Sequence, residues 1–160
     1  MAYPVRFGIK LNQSHHPIDV HRDAWRMAED AGFDHIWGYA VFTRLGAVAK
    51  YTTRGALWEA HNVLELARAD VWRIWAVAEG VPDAQYGVTA VFDDSRRPKP
   101  AGMSRTIASL EKRSLVAAAI ACCDIAIEAW PRAMAAIGSS DGALPPLASH
   151  VRARLQNVTT

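Results

Sequence analysis

The feature that most constrains this chain is a pattern at its start. Val5, Phe7, Ile9 and Leu11 recur at every second position, which is the signature of one strand face. A polar loop over 12–17 follows. Val20, Ala24, Met27, Ala28 and Ala31 then fall at helical spacing, with Asp19 able to cap the first turn and Gly32 placed to end the helix. A second strand is expected from about 34 to 42. Two strands flanking one helix predict a right-handed parallel β-α-β crossover, and with it an α/β fold class.

The next stretch is mixed. Thr43 to Gly55 reads as a loop. Ala56 to about Ala69 reads as a helix through Leu57, Ala60, Leu64 and Ala67. Val71 to Ala78 could prolong that helix or form a third strand, and its β-branched and aromatic content tilts the reading to strand. Tyr86 to Phe92 is a further strand candidate. Too few residues separate it from 71–78 for a crossover helix, so that pair would be an antiparallel hairpin.

Residues 93–102 (DDSRRPKPAG) form a polar, proline-containing linker and the best organisational boundary. They divide a β/α portion, 1–92, from a helical segment, 103–160. Ser104 to Trp130 is alanine-rich, with an apolar stripe through Ile107, Leu110, Leu115, Ala118, Ala119, Cys122 and Ile125. Pro131 is expected to kink or stop it. Arg132 to Ile137 can add one or two turns, and Leu147 to Leu155 a short terminal helix.

The opening segment resembles a known family. Val5-Arg6-Phe7-Gly8-Ile9-Lys10-Leu11 is similar to the first strand of the luciferase-like monooxygenases, flavin- or deazaflavin-dependent (β/α)8 barrels. The run from Ala24 to Trp37 (AWRMAEDAGFDHIW) resembles their following helix and second strand. Leu57-Trp58-Glu59-Ala60 is weakly similar to the start of their second helix. The resemblance implies a partial TIM-barrel-like unit, since 160 residues are few for a closed barrel, which takes about 250. It also implies an oxidoreductase or monooxygenase module binding FMN or a deazaflavin. The family places an acid and an imidazole near the end of its second strand. Here the matching positions are Ala40 and Val41, which cannot transfer a proton, so ordinary turnover is not expected.

Ligands of α/β folds sit beyond the carboxyl ends of parallel strands. On that reasoning the cofactor-binding candidates are Asn12, Gln13, Tyr39, Thr43 and Arg44, and no catalytic residue is assigned. His15-His16 reads as an exposed loop rather than a metal site, because no second ligand cluster accompanies it. His61 and Glu65 form an i, i+4 pair of the kind found on helix surfaces. Trp58, Trp72 and Trp75 could stack on a flavin, although clustered tryptophans more often build a core or an interface. No GxGxxG, P-loop, CxxC pair or GxSxG elbow occurs.

A formal net charge of +2 gives no reason to expect nucleic acid or an anionic membrane. Cys122 and Cys123 are adjacent, cannot readily bridge one another on a helix, and read as buried free thiols. No uninterrupted apolar run reaches the length of a membrane span. Without an apolar leader, a cytoplasmic chain is expected. Two functions follow. One is a truncated or divergent luciferase-like module with a small-molecule substrate. The other is a non-catalytic helical protein whose 104–130 helix is the interaction surface. An uncovered sheet edge would favour a homo-oligomer under either.

Overall fold

Helical periodicity carries on where the sequence reading placed the second strand. From residue 41 onward, Val41, Leu45, Val48 and Thr52 recur at intervals of four, three and four. Phe42 and Ala49 lie beside them, and all six side chains are buried. That is one face of a 3.6-residue period. The computed structural model describes residues 37–81, 84, 91–92, 98–138 and 144–158, with side chains from residue 40 onward. All of them belong to one compact unit, Trp37–Thr160.

Among the described residues, four helices have defined bounds in this unit. They are α1 (Trp37–Thr53), α2 (Leu57–Ala78), α3 (Lys112–Ala136) and α4 (Pro146–Val158). A short 3-10 turn, Met103–Thr106, precedes α3. Among the described residues there is no strand, so the α/β, TIM-barrel-like expectation is corrected to an all-helical architecture. Residues 37–42 open α1 instead of closing a strand. Val71 to Ala78 prolongs α2 rather than forming a third strand, so no hairpin is built there. Val91 and Phe92 are helical as well. The proposed first strand and first helix, at 5–11 and 21–32, and residues 86–90 lie outside the described residues.

The physical reason is packing. Ala60, Leu64, Ala67, Val71 and Ile74 form one continuous buried stripe along α2. The β-branched residues near its end extend a helical face already begun at Ala60. Local strand propensity is a weak preference, and tertiary burial overrides it.

Two glycines set the helix ends. Gly55, at φ +74°, follows α1; its amide bonds to the Thr52 carbonyl, and the Ala56 amide bonds to that of Tyr51. Gly80, at φ +62°, does the same for α2, with its amide on Val77 and the Val81 amide on Ala76. Both are Schellman closures, which need a left-handed residue that a side chain would strain. Val81, the residue after the second closure, is buried against the core.

The core sits around α3, which packs on each of the other three helices. Leu115, Ala118, Ala119, Cys122, Ile125 and Ala126 face inward from it. Phe42 of α1 tilts against Trp130 of α3 with ring centres 6.3 Å apart. Val151 and Leu155 bring α4 onto the same cluster. Residues on both sides of 93–102 therefore share one core. The helix predicted over 104–130 begins only at Lys112. It continues through Pro131, which lies on the solvent side, to Ala136. An exposed position lets solvent satisfy the carbonyl that a proline amide would have bonded.

Candidate functional site

The sequence-predicted cofactor residues do not converge. Asn12 and Gln13 lie outside the described residues. Tyr39 belongs to the first turn of α1, and its side chain is likewise outside the description. Thr43 is exposed on α1. Arg44 is half-buried, and its guanidinium is committed to α2: it pairs with the Asp70 carboxylate and lies 3.4 Å from the Leu66 carbonyl. Sequence reading gave no hint of Asp70, because a lone acid in a helix usually faces solvent.

Asp70 is the one carboxylate buried among the described residues. Arg73, one turn further along α2, holds its other oxygen at 2.9 Å. Burial pushes the Asp70 carboxyl above its ordinary value, while the charges and hydrogen bonds of Arg44 and Arg73 pull the other way. A buried charge needs such partners to persist. The cluster is a charged clasp between α1 and α2, with the carboxylate inside and two guanidinium groups at the rim.

A second cluster ties the end of α2 to α3. The Trp75 indole N–H donates to the Pro98 carbonyl at 3.2 Å. Arg132 lies over the Trp75 ring at 5.1 Å and bonds Glu79 at 3.2 Å. Trp72, edge-on to Phe92 at 4.9 Å, completes the buried aromatic group. Of the three tryptophans weighed as a stacking platform, Trp72 and Trp75 are thus core. Trp58, by contrast, is 78% exposed on the first turn of α2.

An open groove of about 520 Å³ runs between α3 and α4. Asp124, Glu128 and Arg152 rim it, over Ile127, Leu144 and Ala153. Asp124 and Arg152 close on each other at 2.7 Å, and Glu128 lies 3.9 Å from Arg132. These carboxylates are already matched by cations, so the groove presents no free base.

Cys122 and Cys123 are free and buried. Cys122 faces the α2 side, near Arg68 and Glu65, while Cys123 lies against the Ala148 carbonyl of α4 at 3.9 Å. Burial pushes both thiols up to about 12, so neither supplies a thiolate near neutral pH. Glu65 pairs with Arg68 rather than His61. Among the described residues no group of three or more His, Cys, Asp or Glu side chains could hold a metal ion. By length and composition α3 could cross a bilayer, but most of it is buried inside the protein, as in a core helix.

The interaction reading also needs a correction in place. The apolar stripe of the 104–130 segment is largely taken up by the core, with Leu115, Ala118, Ala119, Cys122 and Ile125 all buried. Ile107 is the part left outside, in the extended stretch before α3. Apolar surface is instead presented by α2, where Trp58 and Leu66 stand two turns apart, 78% and 48% exposed. The luciferase-like resemblance is overturned on two grounds: its second strand is the opening of helix α1, and no family model supports it. Compared with protein-family models, curated proteins and solved structures, the chain matches none.

Proposed function

We propose that this chain is a non-catalytic helical protein that works by binding another protein helix along the outer face of α2. The exposure of Trp58 carries this reading. The other large apolar side chains of α2 are buried or half-buried, yet Trp58 is 78% exposed, and Leu66 follows it on the same side. Tryptophan anchors protein interfaces because it offers a large apolar surface at low entropic cost. A helix held in its second half, by Arg44 at Asp70 and by Arg132 at Glu79, keeps its outer face in place for a helix-to-helix contact.

Site-specific photocrosslinking in the cells that make the chain tests this. A benzoylphenylalanine in place of Trp58 should give a discrete protein adduct. The same group in place of the exposed Arg154 on α4 should not. Equal labelling at both positions, or none at 58, defeats the reading.

A further inference from the structure

We infer that the occupant of this face is a second copy of the same chain, paired α2 against α2 in antiparallel register. The inference rests on the binding reading above and adds the partner. Trp58, Asn62, Leu66, Ala69 and Arg73 fall within an arc of about 80° on α2, at 100° per residue. All five are exposed or half-buried, and Ala60, Leu64, Ala67 and Val71 occupy the opposite side. The stripe is about 22 Å long at 1.5 Å per residue.

Its charges are sorted along the helix. The first half carries Glu59 and Glu65; the second carries Arg68 and Arg73, with Asp70 between them buried and turned away from the outer face. A parallel pair would set like on like. An antiparallel pair, with its two-fold axis between positions 65 and 66, lays each acidic half on the basic half of the other copy. It also opposes the helix dipoles. Such an interface uses one patch twice and closes on itself.

The register that follows is specific. Leu66 of each copy meets the other at the axis. Asn62 faces Ala69, whose small side chain lets the backbones approach. Trp58 covers the Arg73 guanidinium of the second copy, a cation–π contact. Asp70 already fixes that guanidinium from behind at 2.9 Å, so little freedom is lost on pairing. Near the axis stand Glu65 and Arg44, each already paired within its own chain, with Arg68 and with Asp70, so neither brings an unmatched charge to its copy. Arg68, paired in its own chain with Glu65, lies at the edge.

The test uses the full chain. Sedimentation from about 1 to about 100 µM should show a concentration-dependent dimer. Trp58→Ala and Leu66→Glu should each weaken it by about tenfold or more without loss of helix signal. Mild oxidation should convert Leu66→Cys to a covalent dimer. Ser149→Cys, exposed on α4, should stay monomeric under the same treatment. A monomer throughout, or a dimer indifferent to Trp58→Ala and not crosslinked through position 66, overturns the inference. In that case an adduct at position 58 with a different protein leaves the binding reading standing and removes only the second copy as occupant. The absence of any adduct removes both.

Discussion

Arg44 of α1 and Asp70 of α2 form an ion pair across the helix interface, with the carboxylate buried and the guanidinium about one-third exposed. The pair is one-sided: Asp70 depends on its arginines more than they depend on it. Removing one partner from a buried pair strands the other, which costs about 3–5 kcal/mol when nothing else compensates. Here Arg73 remains, so Arg44→Met should cost less, on the order of 2 kcal/mol. Asp70→Leu in the same chain should recover part of that loss, because the uncompensated charge is gone. Urea unfolding of both single variants and the double measures the coupling. Simple additivity would show that the pair does not act as a unit.

The same residue predicts a pH dependence. Asp70 titrates above its ordinary value of 3.8 in the folded chain because burial disfavours the anion. A carboxyl raised by folding binds its proton more tightly in the native state. Its contribution is therefore complete below 3.8 and lost as the pH rises through the raised value. Asp70→Asn mimics the neutral acid and removes this dependence. The stability of the native chain relative to Asp70→Asn should fall as the pH rises from about 4. A difference that grows as the pH rises would mean that the arginines, not burial, control the group.

The cysteines should be chemically silent until the chain opens. Both thiols stand at about 12 rather than 9.0, which lowers the thiolate fraction near pH 8 by about a thousand-fold. Burial adds a second barrier to any reagent. Alkylation should proceed at the rate of unfolding and match the loss of helix signal in denaturant. Fast labelling of either thiol in the native chain would show that α3 separates from α2 or α4 far more readily than the core suggests.

The sequence made some of these elements legible and hid others, for identifiable reasons. Ala60, Leu64 and Ala67 recur cleanly, and a helix was readable there. The terminal helix was also legible, expected over Leu147 to Leu155 and found as Pro146–Val158. The second strand failed because a window ending at Phe42 stops before Leu45, Val48 and Thr52 reveal the helical period. The stretch from Val71 failed because five aromatic or β-branched residues in a short run resemble a strand until they are joined to the stripe before them. The clasp at Asp70 was illegible: its partner on α1 is twenty-six residues away, and only packing brings the two together. Of the predicted site residues, Arg44 proved structurally engaged, but with a carboxylate of its own chain.

The contrast between tryptophans gives the last prediction. Trp72 is buried and edge-packed on Phe92, whereas Trp58 lies two-thirds or more in solvent on the same helix. Truncating a buried tryptophan removes its transfer energy and leaves a cavity, at about 3–5 kcal/mol. That is a large share of a typical folding free energy of about 5–15 kcal/mol, so Trp72→Ala should unfold at much lower denaturant or fail to accumulate. Trp58→Ala, measured at a concentration where the chain is monomeric, should stay within about 0.5 kcal/mol of the native chain. At high concentration the native chain alone should gain stability, because association favours the folded state by mass action. Denaturant midpoints at two concentrations for each variant separate the cases. A Trp58→Ala chain that loses several kcal/mol when dilute would place that ring within the fold instead of on a surface open to a partner.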